Sequence, residues 1–163
     1  MRLVILALVA SLVANLPAGA AQSPLAALYS TTDWINGRVN AGSLAGRVVV
    51  VDIFTVDCSN CQNVVPLLRE LYAKDHARGL SVVGVHAPET PAERSRPYVA
   101  QSLAQQGIVW PVAIDNNFAL WRAYNVNAWP TELFFDRQGR LRKTIIGDSQ
   151  DDEVRATVTS LLR

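Results

Sequence analysis

The chain has 163 residues, half of them apolar, with 15 Lys and Arg against 14 Asp and Glu. This suits one domain with a real core and is too apolar for a disordered chain. The near-neutral balance gives no electrostatic reason to bind nucleic acid or an anionic membrane, so neither is expected as a partner.

The N-terminus reads as a targeting segment. Arg2 is a charged n-region, Leu3 to Leu16 an apolar h-region, and Pro17-Ala18-Gly19-Ala20 supplies the small residues of a cleavage site. The apolar run of about 14 residues is short of the ~20 a bilayer span needs, which disfavours a permanent anchor. The expectation is a signal peptide over residues 1–20 and one domain over residues 23–163. The mature chain would start near Ala21 and be periplasmic or secreted.

Residues 23–37 read as a loop with short helical stretches, and Asn36-Gly37 and Ala45-Gly46 as turns. Val48-Val49-Val50-Val51-Asp52-Ile53-Phe54 is β-branched and apolar, so residues 47–54 are predicted as a buried strand. Val64, Val65, Leu67, Leu68, Leu71 and Tyr72 recur at helical spacing, which predicts a helix over 60–77 with Pro66 inside it. Arg78-Gly79 ends that helix, and Leu80 to Val85 is a second strand. Residues 92–106 are predicted as a helix, 109–114 as a strand interrupted at Pro111, and 116–124 as a helix. Thr131 to Phe135 is a strand, Asp136-Arg137-Gln138-Gly139 a hairpin turn, and Arg140 to Ile146 its partner. Asp148 to Asp152 introduce a last helix through Leu162. Alternating strands and helices followed by a hairpin and helix imply an α/β fold: a mixed central sheet with helices on both faces.

The only two cysteines sit together, Cys58-Ser59-Asn60-Cys61, at the junction of the first confident strand and the long helix. A helix N-terminus has unpaired N–H groups and partial positive charge, so it stabilises a thiolate there. Thiolates attack disulfides, which points to thiol–disulfide exchange. A purely structural disulfide would close a very short loop, worth ~2 kcal/mol at most. His76 and His86 are the only histidines, and neither has finger spacing from the cysteines. No cofactor is expected; the aromatic residues from 121 to 129 read as core and groove wall.

These residues resemble the thioredoxin superfamily, specifically its exported TlpA/ResA-like members and the thioredoxin-like domain of DipZ-type proteins. The resemblance covers residues 33–162. It rests on Val49 to Thr55, Cys58-x-Asn60-Cys61 with Pro66, Gly84-Val85-His86-Ala87-Pro88-Glu89, and Trp121 to Tyr124 leading to Trp129-Pro130-Thr131. It implies a thioredoxin-like fold with a four- or five-stranded sheet and a helix-and-strand insertion over 91–114. Cys58 would be the attacking cysteine and Cys61 the resolving one. Asp52 resembles the buried acid of thioredoxins, and Glu89 an acid near the active site. Trp129, Pro130 and Thr131 would line the client groove, with a cis bond before Pro130. The strand from Thr131 should pair beside residues 47–54, which places its entry at the Cys58 end. The implied partners are client proteins with disulfides or thiols, and a membrane or soluble partner that recycles the dithiol.

Two features depart from the usual pattern. Asp57 puts a carboxylate before Cys58, and Ser59-Asn60 is not the dipeptide of cytosolic thioredoxin or of strong oxidants. Two alternatives also stand. A peroxiredoxin-like peroxidase is suggested by Thr55 three residues before Cys58, although Val51 occupies the expected proline position. A Sco-like copper-handling module would want a wider cysteine spacing and a distal histidine ligand.

Overall fold

The structure, a computed structural model, describes residues 24–163. The expected signal peptide over residues 1–20 lies outside the described residues. Strand β1 is Trp34–Ile35, β2 Val48–Phe54, β3 Leu80–His86, β4 Val112–Ile114, β5 Thr131–Phe135 and β6 Leu141–Ile146. The helices are α1 Ala26–Ser30, α2 Ala41–Leu44, α3 Ser59–Asp75, α4 Arg96–Gln106, α5 Ala119–Ala123 and α6 Asp151–Leu162. One sheet runs β1-β4-β3-β2-β5-β6. β2, β3 and β4 are parallel, and β1, β5 and β6 run antiparallel to their neighbours. Among the described residues no helix is long and apolar enough to cross a membrane.

The sheet has six strands rather than the four or five the resemblance implies. The extra strand is β1, two residues paired antiparallel with β4 at Trp34–Ala113 and Ile35–Val112. Two residues are too few to show the alternation by which a strand is read from sequence. β1 is held from outside itself: Ile114 N–H donates to the Asp33 carbonyl (3.0 Å), and the Asn36 amide to the Ile108 carbonyl (2.7 Å).

Alternation along β2 divides the core. Val48, Val50 and Phe54 face α3, α4 and α6, packing with Val64, Leu68, Leu103 and Val158. Val49, Val51 and Ile53 face the other way, toward Leu28, Leu44 and Leu120. Helices thus cover both faces, as the sequence implies.

The helices over 92–106 and 116–124 are both shorter than their patterns suggest. A 3₁₀ turn at Ala92–Arg94 precedes α4, and Ser95 is extended between them. Pro97 then fits the first turn of α4, where no N–H is needed. Phe118 has φ 59°, which stops a helix from running through it. The Asp115 carboxylate instead accepts from the N–H groups of Leu120 (3.1 Å) and Trp121 (2.8 Å) and starts α5 at Ala119.

Candidate active site

Cys58 is the N-cap of α3. Its sulfur accepts a hydrogen bond from the Cys61 N–H at 3.2 Å. The side chain is half-buried, so a partner can reach it, whereas Cys61 is only 2% exposed. Both are free thiols. Burial pushes the Cys61 thiol well above the ordinary range, and its hydrogen bond to Cys58 and the Asp52 charge push it further. Two cysteines one turn apart are thereby made unequal: Cys58 is reachable and faces an N–H donor, and Cys61 keeps its proton until a base removes it.

Asp52 lies on the α3 face of β2, between Val50 and Phe54, which share a core cluster with Cys61. It is 3% exposed, its Oδ1 has no partner, and burial raises it to about 7. Asp52 is thus a buried acid whose charge raises the Cys61 thiol.

Glu89 is different. Expected as an acid near the active site, it has an exposed side chain on the loop after β3. The buried carboxylate of that segment is Glu93. Oε1 of Glu93 accepts from the Thr55 hydroxyl and from Asp57 N–H (3.1 Å). Oε2 accepts from the N–H groups of Glu89 (2.8 Å) and Thr90 (2.7 Å). Burial pushes Glu93 up, but these donors outweigh it and hold the carboxyl below its usual range. Glu93 thus ties the loop after β3 to the segment leading into Cys58. Four residues separate the two glutamates, and only the tertiary arrangement says which one turns inward.

The Trp129–Pro130 peptide is cis. The β2–β5 register sets Thr131 opposite Ile53, so Pro130 enters the sheet beside the end of β2 that leads to Cys58. Trp129 packs against the same cluster as Cys58, stacks on Trp121 with centroids 4.4 Å apart, and donates its indole N–H to the Ala87 carbonyl at 3.1 Å. The Thr131 side chain points inward. It is buried, and its hydroxyl donates to the Ala128 carbonyl at 2.8 Å. Pro130 is buried as well, which leaves half-buried Trp129 as the accessible member of the three.

Asp57, the carboxylate beside Cys58, accepts the Tyr98 hydroxyl at 2.7 Å. His86 is buried with its Nε2 against the Glu93 carbonyl at 2.9 Å. Among the described residues no three His, Cys, Asp or Glu side chains gather as a metal site.

Sequence reasoning missed Glu132. It faces Asp52 directly across the β2–β5 ladder and is 1% exposed. The available signal was an acid inside the otherwise apolar strand 131–135, but its neighbour is known only from the register.

The Redoxin family profile matches residues 20–161. Protein DipZ of Mycobacterium bovis is 34% identical over 139 residues, covering 83% of this chain and 20% of DipZ. The chain therefore spans about a fifth of that relative's length. The thiol–disulfide oxidoreductase ResA of Bacillus thuringiensis is 26% identical over 126 residues, covering 77% of this chain and 70% of ResA. A thioredoxin-like protein solved in solution in its oxidized form superposes with a TM-score of 0.73 at 26% identity, covering 79% of this chain and 87% of that one. The chain belongs to the Redoxin family and has a thioredoxin-like fold.

Proposed function

We propose that this protein is an exported oxidoreductase that reduces disulfides in client proteins through a Cys58/Cys61 dithiol–disulfide cycle. The observation that carries the reading is the inequality of the two thiols: half-exposed Cys58 at the N-cap of α3, and buried Cys61 beside Asp52. The Cys58 thiolate attacks a client disulfide, forming a mixed disulfide and expelling the client's other sulfur as a thiolate. Cys61 then loses its proton to Asp52 and its sulfur bonds to Cys58 Sγ. The Cys58–client bond breaks, and its electron pair leaves on the client sulfur, which takes a proton. The pair is oxidised, the client is reduced, and a separate redox partner restores the dithiol. Asp52 suits this step because a carboxyl near 7 accepts and returns a proton at neutral pH.

Trp129 supplies an aromatic wall beside the thiols, and Pro130 the entry to the neighbouring strand. The N-terminal sequence supports export.

The peroxidase alternative loses ground because the Thr55 hydroxyl, its motif residue, is buried and donates to Glu93. The copper-handling alternative loses ground because His86 is held at the Glu93 carbonyl.

Trapping tests the cycle. Cys61→Ser should accumulate mixed disulfides with clients, and Cys58→Ser should accumulate none. Equal trapping by both variants would overturn the assignment of roles.

A further inference from the structure

Asp52 is not alone in the apolar layer beneath α3. In the β2–β5 ladder it is the register partner of Glu132. Directly opposed residues on antiparallel strands put their side chains on one face, a few ångströms apart. That face is the apolar one, since Val50 and Phe134 are neighbours in the same ladder and pack in the same cluster. Oδ1 of Asp52 and both carboxylate oxygens of Glu132 have no hydrogen-bond partner in any other residue. No Lys, Arg or His pairs with either group among the described residues. Two buried carboxylates without a counter-ion cannot both ionise at neutral pH at acceptable cost, so one of them must hold a proton.

The other charges facing the pair have the same sign. Asp148, in the turn after β6, and Asp151, at the start of α6, act on Glu132, while Asp52 acts on Cys61. Asp148 is itself tied to α3, since it accepts from the Asn63 amide at 2.7 Å. Burial first, then the Asp52 charge, raises Glu132 to about 9. The two carboxyls therefore lose their protons in two steps that belong to the pair.

We propose that Glu132 is a positioning residue for the resolving step, sharing one proton with Asp52 across the ladder and thereby setting the proton affinity of the base beneath Cys61. The proposal rests on the dithiol cycle above. When Cys61 attacks Cys58 Sγ, its S–H bond breaks and the proton goes to Asp52. The Cys58–client bond breaks, and the electron pair leaves on the client sulfur. The carboxyl pair gains one proton in that step and returns it to the client thiolate or to water. With Glu132 neutral, the pair carries one negative charge when it accepts. With Glu132 ionised it carries two and takes a proton more readily. Resolution should therefore quicken in two stages as pH rises.

Sequential thiol release separates the outcomes. The reduced full-length mature protein is mixed with an aryl disulfide, 5,5′-dithiobis(2-nitrobenzoate), and the second thionitrobenzoate reports attack by Cys61. This is followed from pH 6 to 10 in the wild type, Glu132→Gln, Asp52→Asn and the double variant. The infrared carbonyl band of protonated carboxyls is recorded alongside. The wild type should show two stages. Glu132→Gln should lose the alkaline one and resolve about three- to tenfold more slowly above it, the effect of up to one unit in the proton affinity of a base. Asp52→Asn should shift the remaining carboxyl band to lower pH, because Glu132 loses a like-charged neighbour. The double variant should show neither stage. A Glu132→Gln profile that superposes on the wild type would overturn the proposal, as would an Asp52→Asn protein whose Glu132 band does not move. If Glu132→Gln fails to fold, Asp52→Asn decides alone through the band. A wild type that never releases the second thiol fails the dithiol cycle itself, while the carboxyl bands still report whether the two acids share a proton.

Discussion

Single residues show how burial and hydrogen bonding can push two glutamates in opposite directions. Glu93 and Glu132 are both buried in the same domain. Glu93 is surrounded by a hydroxyl and three backbone N–H donors, so its charge is favoured and its carboxyl is held low. Glu132 is buried opposite another acid, and no other residue donates to it; burial and the Asp52 charge outweigh its own backbone N–H and hold it high. Their contributions to stability have opposite signs. A depressed carboxyl stabilises the fold above its unfolded value of 4.5, and that contribution disappears as pH falls through the folded value. A raised carboxyl stabilises the fold below its unfolded value and loses that contribution as pH rises through about 9. The expected outcome for Glu93→Ala, followed by urea unfolding, is a loss of about 3 kcal/mol or more at pH 7, since three backbone donors lose their acceptor in a dry site. The loss should shrink on acidification below the unfolded value of 4.5 as the wild type protonates. An equal loss at all pH values would show that Glu93 acts by packing rather than by charge. Glu93 was hidden in sequence because it reads as one of several polar positions in a predicted helix. Glu89 was more visible because it ends a recognisable segment.

Among the elements, β3 illustrates how closely the sheet layer is filled near the acids. Gly84 pairs with Asp52 on one side and Val112 on the other. A Cβ there would lie 2.9 Å from Val112 Cγ2 and 3.0 Å from Phe54 Cε1. The absent side chain is the space that Phe54 and Val112 occupy. Gly84→Ala should therefore cost about 1–3 kcal/mol by overpacking, measured by chemical denaturation. A neutral substitution would mean that Phe54 can swing aside. Strands β2 and β3 are legible in sequence because apolar β-branched runs bounded by turns have few other uses. Helix α3 is legible from its periodicity despite Pro66, since burial of Val64, Val65, Leu68 and Leu71 outweighs the one hydrogen bond a proline removes. The starts of α4 and α5 were not legible. They depend on an extended Ser95 and on the Asp115 side chain, choices made by local geometry that periodicity does not encode.

For the whole molecule, the order of elements places the chemistry. β2 leads straight into Cys58, and β5 runs back along β2 so that Pro130 arrives at the same end. The proposed export would matter equally, because it would bring the thiol pair to disulfide clients where oxidation prevails. Export makes a direct prediction: N-terminal sequencing of the periplasmic or secreted form should begin near Ala21 or Gln22. A full-length product that fractionates with membranes would turn the cleaved signal into an anchor. The sequence by itself determined the cysteine pair at a strand–helix junction, the α/β class, the acid six residues before Cys58 and the hairpin–helix ending. These follow from local spacing, which a chain carries without folding. Only the tertiary structure decided that Glu93 rather than Glu89 turns inward, that the Thr131 side chain is buried, that a two-residue β1 completes the sheet, and that Glu132 stands opposite Asp52. Each depends on strand register or on a contact between residues far apart in the chain. A shift of one residue in that register would turn Glu132 to the other face of the sheet.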